Sequence, residues 1–218
     1  MDGLYIKGRG AQINPANKFL KHSCEKDVEH LYSEEEKQEE LSRNPNTKYI
    51  DVYPKTILNK VTSPDLGMGW SLNPYQGCEH GCIYCYARPS HAYWDMSPGL
   101  DFETKLIAKT NAAQVLEEQL GKKGYQCAPI NLGSNTDPYQ PIEREHKITR
   151  QILEVLLRYK HPVTIVTKGS LILRDLDLLT ELAQQRLVAV MISLTTLDDE
   201  LKRILEPRAA APKARLRA

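Results

Sequence analysis

The hydrophobic pattern divides the chain in two. From Trp70 onward, short apolar runs alternate with stripes of helical spacing. Residues 70–76 read as a strand, and Ala112, Val115, Leu116 and Leu120 follow as a helical stripe. Residues 129–133 (PINLG) read as a short buried strand, before a stripe at Ile148, Ile152, Val155, Leu156 and Tyr159. Val163–Thr167 (VTIVT) is β-branched throughout, which suits a buried strand. Leu176, Leu179 and Leu182 mark the next helix. Residues 187–194 (LVAVMISL) are a mostly apolar run of strand length, and Leu197, Leu201, Ile204 and Leu205 resume helical spacing. Thr196, three residues before Asp199, is the expected cap of that helix. Strands alternating with helices pair in parallel through right-handed crossovers. Near-continuous apolar strands are covered on both faces. The pattern predicts an α/β fold of about four β/α units over residues 70–218. An open four-strand series leaves an edge exposed, and the last helix runs into AAAPKARLRA, so the domain reads as C-terminally truncated.

Residues 1–69 read instead as a polar extension. Within them, residues 25–41 carry eight acids against two lysines, the signature of a solvated helix or a mobile acidic segment. Asn44, Pro45, Asn46 and Pro54 favour loop after it. The 218-residue chain is 41% hydrophobic and 26% charged, ordinary globular values that exclude bulk disorder. No apolar run reaches the ~18 residues of a membrane span. The amino terminus has no apolar signal core, so a cytoplasmic protein is expected. A formal net charge of +1 gives no global field to draw a polyanion, although a local patch would suffice.

The polar clusters sit where chemistry would be built. Each strand ends in one: GCEHGCIYC, SNTDPYQ, TKGS and SLTT. A parallel α/β barrel collects its active site at those carboxyl ends. Three of the five cysteines, Cys78, Cys82 and Cys85, are spaced C-x3-C-x2-C on the loop after the first strand. Three such thiolates suit three corners of a four-iron cluster. Gly77 and Gly81 would let the loop wrap tightly. Trp70, Tyr75, Tyr84, Tyr86, Tyr93 and Trp94 would shield it from water. Zinc held by the cysteines with His80 or His91 is the alternative, and Cys24 with His22 and His30 is a candidate second metal site. Cys127 reads as a small buried hydrophobe. Asp101 and Glu103 read as strand-edge or salt-bridge residues. The basic stretch 202–217, six cations and one acid, reads as the solvated face of a helix. No GxxxxGK[ST] loop and no GxSxG elbow is present.

The segments around these cysteines resemble a known family. C-x3-C-x-aromatic-C after the first strand is similar to the radical S-adenosylmethionine (SAM) superfamily. The stretch 71–106, with NLGSNTDPYQPIE, VTKGS, RDLDLL, ISLTTLD, LEPRAAAPKARL and, near the amino terminus, GRGAQINPANKF, resembles its spore photoproduct lyase-like branch. The resemblance implies a partial TIM-like (β/α) barrel of radical SAM type. It implies that Cys78, Cys82 and Cys85 bind a [4Fe–4S] cluster whose fourth iron is chelated by S-adenosylmethionine. Reductive cleavage would then give a 5′-deoxyadenosyl radical for hydrogen abstraction from an unknown substrate, with an external flavodoxin- or ferredoxin-like reductant. Tyr84 would lie against the adenine, and Ser134, Asn135, Thr136 and Asp137 would stand where the family contacts the methionyl amino group. Lys168 would meet the carboxylate and Ser193 would hydrogen-bond the cofactor. The plain alternatives are a helix cap for Asp137, a solvated turn for Lys168 and a strand end for Ser193. The best-known spore photoproduct lyase places a hydrogen-donor cysteine after the second strand, and the resemblance puts Ser134 there. A serine O–H bond is too strong for that role, so DNA photolesion repair is the secondary reading. A non-catalytic zinc or iron–sulfur binding module is the reading from another class.

Overall fold

The computed structural model describes residues 5–20, 46–62 and 69–218. Residues 25–41 lie outside them, as do His22, Cys24, His30, Asn44 and Pro45. The strands are β1 (Lys48–Val52), β2 (Asn59–Lys60), β3 (Trp70–Leu72), β4 (Tyr75–Gln76), β5 (Lys105–Lys109), β6 (Ile130–Leu132), β7 (Val163–Thr167) and β8 (Val188–Ile192). The helices are α1 (Asp101–Thr104), α2 (Ala112–Leu120), α3 (Glu143–His146), α4 (Ile148–Arg158), α5 (Leu176–Gln184), α6 (Asp199–Leu205) and α7 (Pro212–Arg217).

The larger sheet has the order β2-β3-β6-β7-β8. Its last four strands are parallel, registered through Leu72↔Leu132, Ile130↔Val163 and Val163↔Val188. Sequential parallel order is that of a (β/α) barrel, and here the sheet is open. β2 lies antiparallel on the β3 edge. A second sheet, β1-β5-β4, carries the segment that leads into and out of the cysteine loop.

The stripes of α2 and α4 face the sheet as their spacing requires, whereas Leu176 and the last stripe, Leu197, Leu201 and Ile204, are exposed. Ile148, Ile152, Val155 and Leu156 of α4 pack with Leu116, Ile130, Leu132 and Ile165 in one core, while Tyr159 stays exposed. Each fully buried aliphatic side chain there contributes about 1.5–3 kcal/mol. β8 departs from the expected covering on both faces: Val190 and Met191 are exposed.

Several local expectations change. Residues 70–76 are not one strand: Asn73 and Pro74 break the run, and β4 turns away to pair antiparallel with β5. β5 pairs in parallel with β1, which lies where the punctuation of the extension suggested loop. Asp198, not Thr196, caps α6, accepting from the Glu200 and Leu201 amides at 2.8 and 3.0 Å. Thr196 Oγ1 instead accepts from the Asp198 amide. Cys127 is exposed rather than buried. The basic stretch is not simply solvated, because Lys202 and Arg215 are buried.

Candidate metal and cofactor site

Loop geometry gathers the three cysteines. Gly77 and Gly81 both have positive φ, +79° and +65°, which a side chain would strain. A Cβ on Gly81 would stand 2.8 Å from Glu103 Oε2, and the loop closes only because none is there. The Cys78 amide donates to the Phe102 carbonyl at 2.8 Å. Thr136 Oγ1 and Gln140 Nε2 donate to the Gly77 carbonyl at 2.6 and 3.1 Å, so the β6 loop holds the start of the cysteine loop.

Two buried acids and one backbone segment hold it further. Glu103 takes Arg88 at 2.6 Å and the amides of Gly10 and Ala11 at 3.0 and 2.8 Å. Its salt bridge, and that of Asp101 with Lys105 at 3.0 Å, match the role expected of both acids. The GRGA run of the extension is therefore packed against the loop rather than trailing from it. Glu79 accepts from Thr47, Tyr49 and Arg208 at 2.6, 3.2 and 3.0 Å. The Ile83 amide donates to the Leu205 carbonyl and the Arg208 amide to the His80 carbonyl, at 3.0 and 3.1 Å. The segment after α6 thus clasps the loop backbone.

One cavity of about 150 Å³ lies above the carboxyl ends of β6 and β7. Cys78, Cys82 and Cys85 line it together with His80, Tyr86, Ser134, Asn135, Thr136, Asp137 and Lys168. All three cysteines are free thiols. Burial pushes Cys78 well up and Cys82 to about 11, with Lys168 pulling Cys82 the other way. Binding a metal centre here must therefore release protons. This donor set fits a thiolate-held cluster: three soft sulfur ligands on a shaped loop, with space beside them. Zinc fits less well. Among the described residues, no group of three or more His, Cys, Asp or Glu, the three cysteines included, is gathered closely enough to hold a metal ion as it stands. His91 is fully buried, edge-on to Phe102, and does not line the cavity. His80 Nδ1 is turned to Asp137 Oδ2 at 3.3 Å.

The other expected cofactor residues differ in what they have free. The Asp137 carboxylate is engaged by Thr167 Oγ1 and the Lys168 amide at 2.6 Å each and by the Tyr139 amide at 2.9 Å. Burial pushes its pKa up, but His80 and these hydrogen bonds outweigh it and hold the carboxylate below its ordinary value. Asp137 is thus neither a helix cap nor an open ligand, and it ties the loops after β6 and β7 together. Asn73 Oδ1 accepts from the Asn135 amide at 2.9 Å, and Asn73 Nδ2 donates to Ser134 Oγ at 3.2 Å. Lys109, whose pKa burial lowers to about 8, donates to the Asn73 carbonyl at 2.9 Å. Tyr86 donates to the Ser134 carbonyl. Ser193 does not line the cavity: its amide donates to the Thr167 carbonyl and its carbonyl accepts from Arg215.

Tyr84 is not among the residues lining the cavity; it is half exposed, with Nζ of Lys168, which does line it, 5.8 Å from its ring centroid. Its hydroxyl meets Glu206 Oε1, and Thr195 Oγ1 at 3.0 Å. Burial, then the Glu206 hydrogen bond, push its pKa up. Glu206 is completely buried and paired with Arg215 at 2.5 Å. Burial opposes its ionised form, yet Thr195, Tyr84 and Arg215 together keep its pKa below the ordinary value. Neither Glu206 nor Arg215 was singled out by sequence reasoning. The only signal was their place in the LEPRAAAPKARL segment.

Comparison with known proteins places this arrangement in a class. Residues 72–218 match the family model of the Radical SAM superfamily. The chain therefore belongs to the radical SAM superfamily, a superfamily of enzymes. An uncharacterized protein of Mycobacterium tuberculosis is 42% identical over 169 residues, 77% of this chain and 50% of that protein. An uncharacterized protein of Methanocaldococcus jannaschii is 27% identical over 175 residues, 80% of this chain and 62% of its own length. The chain spans about half the length of the first of these curated relatives. Among solved structures, a cysteine-to-serine mutant of spore photoproduct lyase aligns over 92% of this chain and 52% of its own, at TM-score 0.59 and 14% identity. A mutant of that enzyme with bound AdoMet and dinucleoside spore photoproduct aligns over 77% and 45%, at TM-score 0.55 and 13% identity. At these identities the likeness is one of fold. Among the described residues, no helix is long and apolar enough to cross a membrane.

Proposed function

We propose that Cys78, Cys82 and Cys85 hold a [4Fe–4S] cluster, and that the chain binds S-adenosylmethionine beside it to abstract hydrogen from a substrate. The observation that carries this reading is three free thiols lining one cavity together with Ser134, Asn135 and Lys168. When bound, cluster and S-adenosylmethionine supply a carbon-centred radical, with the electron drawn from an external one-electron reductant of flavodoxin or ferredoxin type. The chain's own work is to bind, orient and exclude water. Lys168 offers a point charge for a carboxylate. Ser134, Asn135 and Thr136 bring short polar groups and backbone to the amino end of the ligand. Asp137 fixes the Lys168 backbone rather than touching the ligand directly. Tyr84 presents an aromatic face to the adenine, and Ser193 acts through its backbone, keeping β8 beside β7. Ser134, with its strong O–H bond, argues for a reaction other than the hydrogen donation of spore photoproduct lyase.

Anaerobic reconstitution tests this directly. About four irons per chain and 5′-deoxyadenosine on addition of dithionite and S-adenosylmethionine are expected, both lost in Cys82→Ala. Stoichiometric zinc with no iron–sulfur absorption would overturn the reading.

A further inference from the structure

Four polar side chains from distant parts of the sequence converge behind Tyr84. Glu206 and Thr195 approach its hydroxyl from the segments flanking α6, Arg215 reaches in from α7, and Lys168 comes from the end of β7. The Glu206 side chain is completely buried, as is almost all of that of Arg215. A buried pair of this kind gives less stability than an apolar pair of similar volume, so its retention needs another reason. The geometry supplies one. Glu206 Oε1 accepts from both Tyr84 and Thr195, the latter at 2.7 Å, and Lys168 Nζ lies 3.9 Å from the same oxygen. One carboxylate oxygen thus sets where the Tyr84 ring lies and where the Lys168 ammonium stands.

We propose that Glu206, paired with Arg215, is a positioning residue that fixes the Tyr84 ring and Lys168 as a preformed seat for the adenine and carboxylate of S-adenosylmethionine. The ligand assignment rests on the function proposed above. Without Glu206, Tyr84 is a half-exposed aromatic on a loop, free to rotate into solvent. Holding it costs the ligand nothing at the moment of binding, because the ordering is already done.

The test uses reconstituted protein and a double-mutant cycle of Glu206→Gln and Tyr84→Phe, with S-adenosylmethionine affinity read by equilibrium dialysis. Each single variant is expected to weaken binding by about three- to tenfold, the worth of one net hydrogen bond. The double variant is expected to be no weaker than the weaker single one, since Glu206 acts through the Tyr84 hydroxyl. Fold-losses that multiply, or a Glu206→Gln variant with wild-type affinity, would overturn the proposal. A second readout needs neither cluster nor ligand. In protein labelled with 13C in tyrosine rings, the Tyr84 resonances, assigned by their loss in Tyr84→Phe, should shift in Glu206→Gln while the other tyrosines do not. Unmoved Tyr84 resonances would overturn the proposal. Failure of the wild type to bind S-adenosylmethionine would overturn the functional reading, and the ring resonances would still decide whether Glu206 orients Tyr84. If Glu206→Gln does not fold because Arg215 is left uncompensated, Glu206→Gln/Arg215→Met removes that charge and replaces it in both measurements.

Discussion

His91 makes the stability of the fold sensitive to mild acid. Its side chain is completely buried, and neither ring nitrogen has a hydrogen-bond partner. It lies edge-on to Phe102, with ring centroids 5.6 Å apart, directly behind Gly77. Burial lowers its pKa from 6.5 to about 4, against an upward pull from Asp101. The folded protein therefore resists a proton that the unfolded chain accepts. Between pH 6.5 and 4 the unfolded state binds more protons, so stability falls as the pH is lowered through that window. With those two values, linkage gives a loss of about 2 kcal/mol between pH 7 and pH 5. In a domain of this size that lowers Tm by roughly 4–8 °C. Thermal melts of wild type and His91→Leu at pH 7 and pH 5 isolate the effect, because leucine fills similar volume and cannot ionise. The wild type should lose those degrees, and His91→Leu should lose several fewer. Equal losses in the two proteins would refute the reasoning and move the acid sensitivity elsewhere.

Two other perturbations follow from packing. Glu143 is fully buried and accepts from Tyr75 at 2.5 Å, Arg174 at 2.6 Å and the Thr149 amide at 2.9 Å, capping the start of α4 from outside. Glu143→Ala should cost about 3–5 kcal/mol, read as a drop in the urea midpoint with unchanged slope. Gly133 and Gly124 both have positive φ, but a Cβ on Gly133 would stand 2.5 Å from the Val166 carbonyl oxygen, whereas one on Gly124 meets nothing. Gly124→Ala should cost about 1–2 kcal/mol from backbone strain. Gly133→Ala should cost a further 1–3 kcal/mol or so from overpacking, so equal midpoints for the two in the same titration would count against the clash.

The fold was most legible where periodicity and burial agree. α4 and β7 are long enough, and one-sided or β-branched enough, for the pattern to name them. β4 and β5 were not legible. Tyr75–Gln76 is two residues long, and the KLIAK run of β5 has no alternating pattern and follows a single turn of helix. β5 is a strand because β1 pairs with all of it, and β4 because β5 offers it an edge, partners that no local window contains. The cysteine spacing and the polar strand ends pointed to one place because the strands are parallel and sequential, so the loops after β3, β6 and β7 must meet. What spacing cannot encode is which side chains are already spent. Asp137 reads as a ligand or a cap, but its oxygens are taken by Thr167, Lys168, Tyr139 and His80. Arg215 reads as one cation in a basic stretch, but it is buried against an acid nine residues earlier.

Those spent groups say how the site is built. A loop with three thiols has no intrinsic reason to hold a cluster-sized shape. Here its backbone is tied at Gly77, Cys78, His80 and Ile83 to three separate parts of the chain, the loop after β6, Phe102 and residues 205–208. Its one internal hydrogen bond, from the Cys85 amide to the Cys82 carbonyl at 3.2 Å, spans only the last turn. The acids that secure these ties, Glu79, Glu103 and Glu206, are all buried and all paired with an arginine: Arg208, Arg88 and Arg215. Guanidinium forks suit this use because they stay charged when desolvated and hold a carboxylate at a fixed angle. The charged residues that look like ordinary surface composition therefore act as the scaffold of the cysteine loop. Two of these pairs are buried or nearly so and Arg208 stays exposed, and together they spare the loop an ordering cost of about 1–2 kcal/mol for every residue fixed.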